Sequence, residues 1–136
     1  MIGKGTNLEA EDTDKWTPLH FAAWKNNAKV ANILINEGAK IDHEDKNKWT
    51  PLHHSAKCNS DKVATVLINR GAKIEPKDRW GKTPLHVAAQ HNSEKTARIL
   101  IARGVDHQPR DNNGETPLDI AKAHKNQAMI TYLSSL

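Results

Sequence analysis

The chain has 136 residues, enough for one domain, with 37% hydrophobic residues and a mean hydropathy of −0.74. Twenty Lys and Arg against 16 Asp and Glu leave a formal charge of +4, too mild to argue for nucleic acid. Cys58 is the one cysteine, so no internal disulfide can form, in keeping with a reducing compartment. No apolar run approaches the roughly 20 residues that span a bilayer, and Met1-Ile2-Gly3-Lys4 lacks the apolar core of a signal peptide. An intracellular, cytoplasmic chain without membrane association is expected.

Four copies of one tetrapeptide set the frame. Thr17-Pro18-Leu19-His20, Thr50-Pro51-Leu52-His53 and Thr83-Pro84-Leu85-His86 recur with Thr116-Pro117-Leu118-Asp119, each 33 residues after the last. Each is a helix start. Threonine is a preferred N-cap because its hydroxyl serves a backbone N–H that has no partner within the helix. Proline follows where its missing N–H costs nothing.

Ahead of the first copy, Ile2-x-x-Gly5-Thr6-Asn7-Leu8-Glu9 aligns with Ile35-x-x-Gly38-Ala39-Lys40-Ile41-Asp42. Residues 1–16 are therefore expected to be a partial repeat. It would begin at the last turn of a helix whose body is absent, as in a piece of a longer array. The alternative is a short strand-like lead-in. Residues 17–49, 50–82 and 83–115 read as full repeats of helix, turn, helix and extended loop. Their first helices carry Leu19, Ala22 and Ala23, then Leu52, Ser55 and Ala56, then Leu85, Ala88 and Ala89, whose small residues admit a second helix. The second helices read Val30-Ala31-x-Ile33-Leu34-Ile35, Val63-Ala64-x-Val66-Leu67-Ile68 and Thr96-Ala97-x-Ile99-Leu100-Ile101, with Thr96 facing the core. Gly38, Gly71 and Gly104 stand where a left-handed C-terminal residue belongs. His54 and Ser55 make the first helix of the middle repeat the more polar one, and His107 is expected to be poorly buried in the loosest loop. Residues 116–136 read as a C-terminal cap, with Asp119 favouring the helix dipole and Lys122 and Lys125 wetting the outer face.

Thr-Pro-Leu-His-x-Ala at a period of 33, followed by Gly-Ala-Lys-Ile-Asp at 38–42, resembles the ankyrin repeat over nearly the whole chain. The resemblance implies an all-α solenoid of stacked helix pairs with β-hairpin-like loops, one domain over 1–136. It implies a protein-binding module in which hairpin tips and first helices line a concave groove. Carried over by position, the expected partner-binding residues are Trp16, Trp24, Lys25, Lys46, Trp49, Lys57, Arg79, Trp80, Lys82, Gln90 and His91. It also implies that His20, His53 and His86 hydrogen-bond backbone and tie repeats together.

All four tryptophans fall in the expected groove, among lysines and arginines, which suits an acidic, partly apolar protein segment. The competing reading lays Trp16 and Trp49 flat over neighbouring hairpins. A metal is not expected. The signature histidines lie about 10 Å apart in a stacked array, beyond one ion's reach, and His54 with Cys58 offers two ligands without a third. Gly81-Lys82-Thr83 resembles the end of a phosphate loop, but Pro76 stands where its earlier glycine would be. No nucleophile has an evident base, so no cofactor and no reaction are expected, and Cys58 reads as an exposed thiol whose pKa Lys57 lowers slightly.

The expected product is thus a monomeric protein-binding module. Its alternatives are an assembly segment, stacking end to end near Leu8, Leu19 and Ile33, or a regulatory domain whose catalytic part lies elsewhere. Nucleic acid is disfavoured by Asp12, Asp14, Asp45, Asp78 and Asp111 along the tips.

Overall fold

The computed structural model describes residues 8–136, so the partial helix expected at Met1 and Ile2 lies outside the described residues. Eight helices appear among those described: α1 (Pro18–Trp24), α2 (Ala28–Asn36), α3 (Pro51–Cys58), α4 (Asp61–Asn69), α5 (Pro84–Gln90), α6 (Glu94–Ala102), α7 (Pro117–Ala123) and α8 (Gln127–Ser134). The odd-numbered helices pack in one row and the even-numbered helices in another. Each helix is too short to persist alone in water, so its stability comes from burying one face on its neighbours.

The tetrapeptide does what its chemistry dictates. Thr50 and Thr83 hydroxyls accept from the backbone N–H of His53 and His86, and the threonine N–H donates back to the Nδ1 of the same histidine at 3.1 and 3.0 Å. Because Nδ1 accepts, Nε2 carries the proton and donates into the next loop. His20 reaches Trp49 O at 2.9 Å, His53 reaches Lys82 O at 3.0 Å and His86 reaches Glu115 O at 2.9 Å. Asp119 in the fourth unit keeps the local cap, its Oδ2 accepting from Thr116 N–H. A carboxylate cannot donate onward.

The core is a continuous cluster of Leu19, Leu34, Leu52, Leu67, Leu85, Leu100, Met129 and Leu133 with the small residues between them. Thr96 is fully buried, as its position in the pattern requires. His54 and Ser55 are buried as well, so the polar first helix of the second unit is not a wetter one. The Ser55 hydroxyl donates to Pro51 O, and the His54 ring donates to a carboxylate. Leu19 is also buried, which removes it from any exposed stacking face.

The loops contain no strand among the described residues, although they join edge to edge as hairpins do. Lys46 N–H donates to Asp14 O, Arg79 N–H to Asn47 O and Asn112 N–H to Trp80 O. Within each loop an aspartate Oδ1 accepts from the backbone two and four residues on. For Asp45 these donors are Asn47 and Trp49, and for Asp78 they are Trp80 and Lys82.

Asparagine supplies a further tie. Asn26, Asn59 and Asn92 end the first helices with positive φ, a region that asparagine tolerates. Their Oδ1 atoms accept from Val63, Thr96 and Met129 N–H, capping the second helix of the next unit. The α2 helix is capped by its own Asn27, whose Oδ1 accepts from Val30 N–H.

Candidate functional site

Six of the eleven expected binding residues meet in one depression. Trp49, Lys57, Trp80, Lys82, Gln90 and His91 line it with Asp78, around a volume of about 390 Å³. The helix pattern explains the convergence. Lys57 lies in the last turn of α3, Gln90 ends α5, and His91 is the C-cap of α5. Lys82 immediately precedes the Thr83 cap, while Trp49 and Trp80 come from two consecutive loops.

The two indoles differ in kind. Trp49 is half-buried, stacks on His53 with centroids 5.8 Å apart, and donates its Nε1–H to Asp78 Oδ2 at 2.8 Å. It is a hairpin-packing residue that also forms one wall. Trp80 is 48% exposed, with the Arg79 guanidinium 5.7 Å from its ring centroid. Asp78 is buried and its carboxylate is fully engaged by Trp80 N–H, Lys82 N–H and the Trp49 indole. Lys82 Nζ meets only the neutral Gln90 Oε1, at 3.4 Å. Burial holds the His91 imidazole below its ordinary range, and Lys57, His124 and Lys82 push it the same way.

The other expected residues lie elsewhere. Trp16 and Lys25 line a second depression of about 560 Å³ with Pro18, Phe21, Ala22 and Val30. Trp16 is held by the rings of His54, Phe21 and Trp24, at 4.2, 4.9 and 6.2 Å. Trp24 is 45% exposed beneath the Lys25 ammonium, 4.4 Å from its centroid. Lys46 is exposed on its loop.

Phe21 was not singled out by sequence pattern, and Val30 was read only as part of the apolar pattern of its helix. Their exposures of 40% and 36% contrast with 2% for His54, 1% for Val87 and 3% for Ile120, and with complete burial of Val63, Thr96 and Met129. Those counterparts, one or more repeats along, are covered by the preceding helix pair. The period itself was the available signal.

Cys58 departs from expectation. It is half-buried, and burial pushes its thiol up by more than Lys57 lowers it. A thiol in that state is a poor nucleophile.

One cluster has metal-ligand composition. His20, Asp45 and His54 bring donor atoms within 4.8 Å of one another, all buried. Most of their lone pairs are engaged otherwise, while His54 Nδ1 is buried without a hydrogen-bond partner. His20 Nδ1 accepts from Thr17 N–H and its Nε2–H donates to Trp49 O. Asp45 Oδ2 accepts from His54 Nε2 at 2.8 Å. Burial pushes His20 down to about 4, so the ring is neutral at pH 7. The trio is a packing device between Trp16 and Trp49.

No helix among the described residues is long and apolar enough to cross a membrane. No curated protein gives a significant match to the chain. A family profile described as ankyrin repeats (3 copies) matches residues 1–78 and 74–136. With its capped helix pairs, its histidine ties and this match over the whole sequence, the chain belongs to the ankyrin repeat family.

Proposed function

We propose that the protein is a non-enzymatic binding module that recognises another protein through the surface made by its loop tips and first helices. Ankyrin repeats are generally protein–protein interaction modules. The observation that carries the reading for this chain is the depression at Trp49, Lys57, Trp80, Lys82, Gln90 and His91, where side chains from several elements converge. The mechanism is pre-organisation. Trp49 is fixed by Asp78, and short capped helices hold the remaining groups, so little ordering entropy is lost on association. Trp80 and Trp24, the two exposed indoles, supply apolar contact area.

The test is affinity capture with the native chain beside a Trp24→Ala, Trp80→Ala variant. Trp16 and Trp49 stay intact because their rings hold the fold. A protein retained by the native chain and lost by the folded variant supports the reading. Equal retention by both refutes it.

A second reading, self-association through the outer face of the first unit, is favoured by exposed Phe21 and Val30. The occupant there would be a second copy's corresponding face. Sedimentation at increasing concentration tests it, with Phe21→Glu as the variant that abolishes association. A chain monomeric at high concentration refutes it.

A further inference from the structure

We propose that Lys57, Lys82 and His91 form a carboxylate-binding site for an acidic segment of the partner protein, with Trp80 as its apolar wall. The inference rests on the groove reading above and names the chemistry of its occupant. Two lysines and a histidine line one depression whose single carboxylate, Asp78, accepts three internal hydrogen bonds. Neither lysine takes part in an ion pair among the described residues. The depression therefore carries two lysines against one carboxylate, whose oxygens are already occupied by neutral N–H donors.

Three further observations set the limits of the site. His91 reports the field directly, since Lys57, His124 and Lys82 all oppose its protonation after burial has done so. Glu115 stands one repeat beyond Lys82, so the sign of that position reverses at the next unit. Among the four positions that precede the threonine caps, Lys82 is the one cation. Lys57 and His91 also mark the C-terminal ends of α3 and α5, where backbone carbonyls carry partial negative charge. The indole walls add apolar contact that an acidic peptide with an interspersed aliphatic can use and a free anion cannot.

The test uses the full chain and an amidated Glu-Glu-Leu-Glu-Glu peptide, with its glutamine counterpart and inorganic phosphate as comparison probes. Binding is followed by Trp fluorescence and by NMR titration of the His91 ring. The acidic peptide is expected to raise the His91 pKa by about half a unit or more, because a carboxylate within a few ångströms favours the imidazolium. Its affinity should fall at least about fivefold in Lys57→Gln with Lys82→Gln, recover in the arginine pair, and weaken steeply by about 0.5 M salt, where screening is nearly complete. Circular dichroism checks that each variant is folded.

The proposal is overturned if the glutamine peptide binds as well, if the lysine variants bind as tightly as the native chain, or if no peptide perturbs His91. It is also overturned if phosphate raises the His91 pKa as strongly at equal concentration. A partner whose capture depends on Trp24 and Trp80 but not on Lys57 and Lys82 overturns the acidic occupant while leaving the groove reading in place.

Discussion

Replacing Trp49 by Phe separates the structural role of this indole from a role in recognition. The ring stacks on His53, and a phenyl group can keep most of that contact. What it cannot keep is the Nε1–H that meets Asp78 Oδ2 at 2.8 Å. Asp78 is 5% exposed, so water cannot replace the lost donor well. A hydrogen bond to a charged group contributes about 1.5–3 kcal/mol, and stranding a buried acceptor costs a similar amount. Trp49→Phe should therefore lower stability by about 2 kcal/mol. With a urea slope of about 2 kcal/mol/M, the midpoint moves down by about 1 M. Trp24→Phe is the control, since that ring is 45% exposed and makes no indole hydrogen bond among the described contacts. The assay is equilibrium urea unfolding followed by circular dichroism. A Trp49→Phe midpoint within about 0.2 M of the native value would refute the reasoning, because the Asp78 contact would then contribute nothing measurable.

Acidification should weaken the fold through the signature histidines. Burial pushes His20 and His53 down from 6.5 to about 4 and also lowers His86, so the folded state binds fewer protons than the unfolded chain as pH falls from 6.5 toward 4. Stability is then level above pH 7 and drops between pH 7 and 5 by about 2 kcal/mol for each of His20 and His53, while a pH-independent urea midpoint across that window would contradict this. Gly81→Ala and Gly114→Ala form a matched pair with φ of +76° and +75°, but a Cβ at Gly81 would collide with Asn112 Oδ1 whereas Gly114 faces open space. Both should lose about 1 kcal/mol to backbone strain, and Gly81→Ala should lose more; equal losses would count against the close approach. Cys58 should react with a disulfide reagent at pH 7 several-fold more slowly than a free thiol, because burial raises its pKa, and equal rates would place it in solvent. Lys82→Trp should raise the urea midpoint while removing affinity for the acidic peptide, and a variant that does neither would disconnect position 82 from both roles.

Most of the fold was legible because each unit repeats the same local instructions. The threonine cap, the proline after it and the small residues of the first helix fix the helix starts without any long-range knowledge. The histidine ties also follow from a residue that recurs at a fixed distance from the next loop. The residues whose role was not legible are those that depend on a partner outside the local pattern. His54 makes its helix more polar, and Asp45, nine residues earlier, accepts its Nε2–H inside the stack. Cys58 looked exposed at a helix end, yet it is half-buried. Asn26, Asn59 and Asn92 carried a readable signal at the repeat period, and their partners lie some 37 residues on. The expected groove residues divided for the same reason. Trp16 and Trp49 have partners in the next unit, while Trp24 and Trp80 project into solvent.

Position 82 shows why the depression lies where it does. Trp16 and Trp49 hold the equivalent place in the first two units, immediately before the threonine cap. Trp49 closes over the following loop and satisfies Asp78 Oδ2. In the preceding interval His54 satisfies Asp45 Oδ2 instead. Lys82 makes no hydrogen bond to the aspartate of the following loop, and Asp111 Oδ2 is left buried without a hydrogen-bond partner. Its ammonium turns toward Gln90 across the depression. An indole at this position would cover the next loop and could donate to Asp111 across the same 29-residue separation that joins Trp49 to Asp78. With Lys82 in place of an indole and Ile120 in place of a histidine, one Asp111 carboxylate oxygen is left unpaired and a cation stands beside the depression. A stranded buried acceptor costs about 1–3 kcal/mol, a cost that folding alone gives no reason to retain. It is intelligible if the lysine serves a partner, which would tie the structural irregularity at Asp111 to the carboxylate site proposed at Lys57, Lys82 and His91.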